Sequence, residues 1–297
     1  KNISLDLVNY GRLKMFLHAH SEEALDGEVT AFIRLGTDFN ENYYEIELPL
    51  VMSPKGNIPR EEIWPAANEI DLPLDALHSL KSKRNRVTGR YSNNNTEGLD
   101  LPFIEQQGKY TLKVEGNPDL SSVQTLMIGI RNPHSENDDQ LPKSVCVWAN
   151  ELRVTDFDNN AGWAANARIS TKLADLGTIS ASTRYTSIGF GGIQQRISER
   201  TRAETLQYDV SANLNLEKFM RPDKTGLVVP MFVSYEKTTV TPQFDPLDPD
   251  VPLEASLEAI DDAEERERYK RIVQDRTTRR SINFTNVLGG TGAYQYS

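Results

Sequence analysis

The sequence is most regular in the eleven-residue segment Trp163-Ala164-Ala165-Asn166-Ala167-Arg168-Ile169-Ser170-Thr171-Lys172-Leu173. Uncharged and mostly apolar side chains occupy its odd-numbered positions, and both of its cations occupy even-numbered positions. Successive side chains of a β-strand point to opposite faces, so this alternation predicts a strand with one apolar and one polar face. The segment is about twice as long as a typical strand in a soluble protein.

The same alternation recurs along the second half of the chain, at 179–189, 206–216 and 227–236, and more weakly at 280–287. A strand that crosses a membrane at a tilt needs ~9–11 residues, with an apolar side toward lipid. We therefore predict about four transmembrane β-barrel strands in residues 159–251 and a further strand in 279–297. Five strands cannot close a barrel, and open edges are unfavourable in lipid, so the rest of the wall is expected from chain outside this segment. A soluble sandwich with long strands also fits the pattern.

Five polar residues on these strands are candidates for lining a barrel lumen. In a barrel strand, the side that faces away from lipid can carry polar and charged residues because it borders water. The candidates are Asn166, Arg168, Lys172, Arg184 and Asp209.

The first 158 residues differ from the rest in charge and in strand length. They carry 16 basic and 25 acidic residues, whereas residues 159–297 carry 17 and 18. Short alternating or apolar segments predict strands at 13–19, 29–35, 44–50, 110–114, 123–130 and 144–154. Several such strands between polar turns favour a soluble jelly-roll or β-sandwich domain over residues 1–158.

Two segments have helical rather than strand patterning. Residues 66–86 are predicted to form one or two short helices, which end in the basic cluster Lys81, Lys83, Arg84 and Arg86. We interpret this cluster as a solvated helix end, where cations meet the negative pole of the helix dipole; a patch for an anionic partner is the alternative. Residues 252–278 are predicted to form a helical, solvent-exposed loop insertion between two strands. The glycine-rich stretch 288–297 is interpreted as a join between separate parts of the native chain.

Composition and motifs give no sign of a reaction centre. The formal net charge of −10 is unsuited to neutralising phosphates, so nucleic acid is not expected as a partner. The single cysteine, Cys146, cannot form an internal disulfide and is expected to be buried or half-buried. His18 and His20 share a strand face but lack a third ligand, and Asp156–Asn160 lacks the features of a calcium loop. We predict no catalytic residue, no cofactor and no metal site.

Several segments resemble one known family. The longest is Val147-Trp148-Ala149-Asn150-Glu151-Leu152-Arg153-Val154-Thr155-Asp156-Phe157-Asp158. The others are Leu13–Ala19, Ala31–Asp38, Asn42–Glu45, Gly162–Ala167, Lys172–Asp175, Gly189–Gly191, Lys218–Phe219 and Pro246–Asp250. On these segments the chain is similar to the SprA/Sov family, the outer-membrane translocon of the type IX secretion system and a component of gliding motility. The similarity covers nearly the whole chain, which is expected to be a small fragment of a much longer protein.

The resemblance implies an all-β, non-enzymatic segment of a very large outer-membrane barrel that exports folded proteins. It implies a jelly-roll domain followed by antiparallel barrel strands. The implied partners are secreted cargo proteins with a C-terminal signal, barrel and plug subunits at a lateral opening, and outer-membrane lipid. The alternative from the residues alone is a soluble glycan-binding module of the cell surface, with Tyr43, Tyr44, Trp64 and Trp148 as an aromatic platform. A glycoside hydrolase is a third reading, but no carboxylate pair stands out.

Overall fold

A computed structural model of the chain describes residues 4–54, 56, 59–93, 96–133, 141–196, 199–219 and 227–288. The backbone forms two compact units, Lys1–Asn159 with Phe244–Tyr269, and Asn160–Gln243 with Lys270–Ser297. The sequence prediction assigned residues up to 251 to the barrel strands and 252–278 to an exposed loop. The structure instead places 244–269 in the first unit, because side chains of this segment are buried there. The predicted chain join at 288–297 falls almost entirely outside the described residues.

The hydrophobic core of the first unit lies between two antiparallel sheets of the described residues. Their strands are β1 (Tyr10–Ser21), β2 (Thr30–Gly36), β3 (Tyr43–Pro49), β4 (Ile70–Pro73), β5 (Phe103–Gln107), β6 (Tyr110–Glu115), β7 (Thr125–Arg131) and β8 (Val145–Phe157). One sheet has the order β4-β1-β8, and the other has the order β5-β6-β3-β2-β7. The predicted all-β character of the chain is confirmed.

Both sheets contribute to one hydrophobic core. On β1, the alternation predicted a buried face, and Leu13, Met15 and Leu17 are 1–2% exposed. They join residues of the other sheet, including Ile33 and Ile46, in one cluster. The core of the unit therefore forms where period-two alternation is clearest.

The described part of the chain also contains the α-helices α1 (Arg60–Ile63), α2 (Asp75–Val87), α3 (Arg90–Asn93), α4 (Leu253–Glu258) and α5 (Ala263–Val273). Residues 66–86 contain helix α2, as predicted, but the prediction of one or two short helices missed the strand Ile70–Pro73, which pairs with β1 as β4. Pro73 has no N–H to donate and is unfavourable inside a helix, so α2 begins after it. None of the described helices is long and apolar enough to span a membrane.

In the described residues after β8, seven further strands follow. They are β9 (Ala164–Leu173), β10 (Gly177–Thr186), β11 (Ala203–Asn215), β12 (Pro230–Pro242), β13 (Phe244–Asp245), β14 (Asp248–Pro252) and β15 (Asp275–Phe284). The short pair β13–β14 belongs to the first unit. The others form the sheet of the second unit, in the order β15-β12-β11-β10-β9. The last two predicted strands were misplaced by several residues, since 227–236 corresponds to β12 and 280–287 to β15.

All four pairings in the sheet of the second unit are antiparallel and have continuous register. Gly177 allows the tight turn between β9 and β10, where its φ is +151°. A Cβ at this position would collide with the carbonyl oxygen of Asn213 on β11. Because the register is continuous, side chains at opposed positions form straight rows across all five strands.

Candidate functional site

The sheet of the second unit is a single layer. Every described residue of this unit is exposed or half-buried; none is buried. Large apolar side chains are left open, for example Ile169 at 72%, Ile282 at 65% and Phe284 at 56% exposure. Burial of apolar area is the dominant favourable term in folding, so this sheet lacks the core that would stabilise it in water.

One side of the sheet, here called the apolar face, carries most of the large apolar residues of the five strands, whereas Phe232 and Val240 lie on the opposite side. Members of the apolar face include Ile169, Leu173, Ile179, Ala181, Leu206, Val210, Ala212, Leu214, Met231, Val233, Ile282 and Phe284. Four aromatic residues form a diagonal line across this face: Trp163, Tyr185, Tyr208 and Tyr235. From each strand to its neighbour, the aromatic position is shifted by two residues along the strand. The rings of Trp163 and Tyr185 are in contact, with centroids 4.7 Å apart.

The opposite side, here called the polar face, contains all five of the predicted lumen-facing residues. Asn166 is paired with Arg184, and Arg168 lies in the same row as Asp209. Asn166, Arg168 and Arg184 line one depression of about 290 Å³. Lys172 lines a separate, more open depression. The structure thus brings three of the five together and places the other two on the same face.

The polar face also contains two rows that sequence reasoning missed. One row has a serine on each of the five strands: Ser170, Ser180, Ser211, Ser234 and Ser281. The hydroxyl oxygens of Ser170 and Ser180 are 2.9 Å apart. The next row is charged and consists of Arg168, Ser182, Asp209, Glu236 and Arg279. Only the register between strands reveals these rows, because their members are spread over more than a hundred residues of sequence.

The charged row is internally compensated. The hydroxyl of Ser182 donates to Asp209 at 2.7 Å, and the side-chain amide of Gln207 donates to Glu236 at 3.3 Å. Arg279 lies 3.6 Å from Glu236. This face therefore offers hydroxyls, amides and charges of both signs, a composition suited to contact with water.

The first unit contains a second notable feature, a cluster of six buried charges. Its members are 0–6% exposed: Lys81, Arg84, Arg90, Asp245, Asp248 and Asp250. The interpretation of Lys81 and Arg84 as a solvated helix end is therefore wrong. The segment Phe244–Pro252 carries all three aspartates into the unit, next to α2 and α3. The three negative charges equal the three positive ones, which keeps the buried cluster neutral.

Lys81 is the central donor of the buried charge cluster. Its ammonium donates to Asp250 and to the Pro118 carbonyl oxygen, both at 2.7 Å, and lies 3.2 Å from Asp248. Arg90 donates to Asp248 at 3.0 Å, and the hydroxyl of Tyr44 donates to Asp250 at 2.6 Å. These contacts satisfy charges that would be strongly unfavourable if left unpaired.

The pKa values follow from burial and from these charges. Burial raises the pKa of Tyr44 well above its usual value, and the charge of Asp250 adds to the effect, so this hydroxyl remains a donor. Burial opposes ionisation of Asp248, but the positive charges of Lys81 and Arg90 outweigh it and hold the pKa of this carboxyl below its usual value. Both groups thus keep the protonation state that their hydrogen bonds require.

Several smaller sequence interpretations are corrected by the structure. Cys146 is exposed rather than buried, because it lies on the face of β8 opposite to Val145 and Val147, which pack against the core. Its sulfur accepts a hydrogen bond from Trp148. Tyr43 and Tyr44 are 2% and 0% exposed, so they cannot form part of an aromatic platform for glycans. His18 is hydrogen-bonded to Ile63 and Ser53. Within the described ranges, no group of His, Cys, Asp or Glu side chains is arranged to hold a metal ion.

These features define the class: an all-β protein with one two-sheet unit and one single-layer sheet whose faces differ in polarity. The chain matches the family model of the SprA N-terminal region, described as a motility-related or secretion protein, over residues 1–257. The match covers most of the chain, which therefore belongs to the SprA family. A comparison with curated proteins gives no match. Membership of a motility and secretion family associates the chain with the cell envelope or surface.

Proposed function

We propose that this chain is a non-catalytic part of an outer-membrane β-barrel that conducts folded proteins out of the cell. Its second unit would supply wall strands, and its first unit an adjoining domain of the jelly-roll type. The observation that carries the proposal is the single-layer sheet with one apolar and one polar face and no buried residue among those described. In a barrel wall, lipid covers the apolar face, and the sheet needs no core of its own.

Strand length and edges support a membrane wall. The five strands of the sheet are 10 to 13 residues long, sufficient for a tilted strand to cross a bilayer. When strands are tilted, residues at the same membrane depth lie along a diagonal of the sheet. The aromatic diagonal on the apolar face therefore fits a girdle at the membrane interface. Among the described strands, β9 and β15 each have one edge without a partner, and in lipid these edges require further strands. The remaining strands of the wall would come from chain outside this segment.

The polar face supports an aqueous lumen. Among the described residues, hydroxyls and compensated charges dominate this face and hydrate well, and its large apolar side chains Phe232 and Val240 are eight residues apart on β12, so a passing protein would find little continuous apolar surface to adhere to. The five predicted lumen-facing residues all lie here. The proposal therefore includes secreted proteins with a C-terminal signal as cargo, and barrel and plug subunits as partners at a lateral opening, as in type IX secretion and gliding motility.

Photo-crosslinking in the native cell tests this function. A photoreactive amino acid would replace Ser234 on the polar face or, as the matched control, its neighbour Val233 on the apolar face. The expected result is that the probe at 234 captures secreted proteins during export, whereas the probe at 233 captures lipid. Capture of secreted protein at neither position, or equally at both, would contradict a conducting lumen on the polar side.

A further inference from the structure

Three cations lie on the apolar face at one corner of the sheet. They are Lys237 on β12 and Arg276 and Arg280 on β15, here called the basic patch. Lys237 is opposite Thr278 on β15. Arg276 and Arg280 lie two residues to either side of Thr278, so they occupy the two positions diagonal to Lys237. Diagonal neighbours are about 7–8 Å apart between backbones, within reach of these long side chains. The three cations can therefore converge on one ligand.

Within the described residues, the basic patch has no acidic partner. Arg279, between the two arginines but on the polar face, pairs with Glu236, whereas none of the three patch cations forms an ion pair. The only carboxylate among the described residues of the apolar face is Glu204 on β11. It lies opposite Thr241, four residues along β12 from Lys237, and its charge acts on Tyr185 of the neighbouring strand β10. Arg276 donates to the uncharged side-chain oxygen of Gln274, which does not neutralise it. Three positive charges without a counter-ion on a largely apolar surface call for a negative ligand from outside the chain.

The position of the basic patch on the face indicates the kind of ligand. Arg280 lies over the ring of Tyr235, 5.5 Å from its centroid, and so marks the end of the aromatic diagonal. Beyond it on β15 the face becomes apolar, with Ile282 and Phe284 open. Aromatic residues of membrane proteins lie at headgroup depth, and cations next to them reach the phosphate layer.

We propose that the basic patch binds the phosphate of a membrane lipid headgroup, whose acyl chains would cover the apolar residues beside it. The proposal rests on the proposed function, which makes this face the lipid-facing one. Arginine forks match phosphate oxygens bidentately, and lysine adds a mobile charge. The ligand is thus an anionic lipid, recognised by phosphate and by hydrocarbon together.

The test uses neighbouring threonines on opposite faces. A photoreactive amino acid would replace Thr278, which lies between the patch cations, or Thr277, which faces the polar side. The full-length protein, in nanodiscs with equal amounts of phosphatidylglycerol and phosphatidylcholine, would be irradiated and its lipid adducts counted by mass spectrometry. Each cation near an anionic headgroup contributes ~1 kcal/mol, about a fivefold preference. We expect phosphatidylglycerol adducts at 278 to exceed phosphatidylcholine adducts by at least fivefold, as a rough minimum.

Further arms separate the explanations. Combined replacement of Lys237, Arg276 and Arg280 by Gln should bring the adduct ratio at 278 to the nanodisc composition, whereas Arg279→Gln should leave it unchanged. Equal adducts of both lipids with the patch intact would overturn the headgroup site while leaving a lipid-facing sheet. No lipid adduct at 278 would instead sink the proposed function itself. Loss of the phosphatidylglycerol adducts on adding inorganic phosphate would overturn lipid as the source and indicate a site for soluble phosphate.

Discussion

At the residue scale, the first unit depends on a cation placed where a helix would normally bury an apolar residue. Lys81 is fully buried and contacts two aspartates that arrive from more than 160 residues further along the chain. A buried charge is tolerated only when it is paired and hydrogen-bonded. The segment Phe244–Pro252 and α2 therefore depend on each other.

Substitution of Lys81 by Met should destabilise the first unit strongly. The change leaves Asp250 without its charged donor, and loss of one partner of a buried pair costs ~3–5 kcal/mol. Hydrogen exchange of α2 and of Phe244–Pro252, measured by mass spectrometry, should show opening free energies lowered by about that amount. Lys83→Met is the control, since Lys83 is half exposed and pairs at the surface with Glu105; a cost of ~0–1 kcal/mol is expected there. Equal effects of the two substitutions would contradict the account of the cluster.

The cluster also predicts an acid response. The pKa of Asp248 is lower in the folded state than the unfolded value of ~3.9. Its ionisation therefore stabilises the fold above about pH 4, and this contribution is lost as the pH falls through the folded pKa. Asp248→Asn should lower the opening free energy of α2 most at neutral pH, and the difference from the unchanged protein should shrink below about pH 4. A difference that is constant with pH would refute this role.

The cluster is also where sequence reasoning failed. A run of Lys81, Lys83, Arg84 and Arg86 at a helix end has the composition of a solvated surface, and local pattern alone cannot reveal a distant partner. The signal that was available is the alternation of Asp and Pro at 245–250, which carries as many acidic groups as the cluster has buried cations. The five residues expected on a lumen face were easier to predict, because strand periodicity alone determines which residues share a face.

At the element scale, the strands of the second unit each present two surfaces to two different environments. Alternation predicted β9 to β11 closely, since period two is a property of the strand itself. Alternation misplaced the last two strands. For β12, the residues after 236 are mainly threonines and a lysine, so the apolar alternation fades although the strand continues. The serine row could not be predicted at all, since it depends on the register between strands.

A matched pair of arginine substitutions on β11 tests the two surfaces. Val210→Arg places a charge on the apolar face opposite Tyr235, and such a change on a lipid-facing strand is unfavourable, with a cost that rises to ~2–4 kcal/mol toward the bilayer centre. Ser211→Arg places the same charge on the polar face, where little cost is expected. The amount of folded protein recovered in the outer membrane should fall for Val210→Arg and remain near normal for Ser211→Arg. The opposite order would invert the assignment of the faces.

At the scale of the whole molecule, the two units are interleaved in sequence. The chain leaves the first unit after Asn159, returns to it at Phe244 and leaves again after Tyr269. During synthesis, the three buried aspartates therefore appear only after strands β9 to β12. The first unit cannot complete its core until much of the second unit has been synthesised. Contacts of such long sequence separation form late, because loop closure has to occur first.

Cysteine accessibility in intact cells tests the central claim, that the sheet separates lipid from water. In a Cys146→Ser background, single cysteines would be placed at Ile169 and at Ser170, adjacent on β9, and treated with a membrane-impermeant maleimide. The account predicts that Ser170→Cys is labelled through the lumen, whereas Ile169→Cys is labelled only after detergent removes the lipid. Equal labelling of both positions without detergent would contradict a membrane wall and leave the second unit as a sheet exposed to water on both faces.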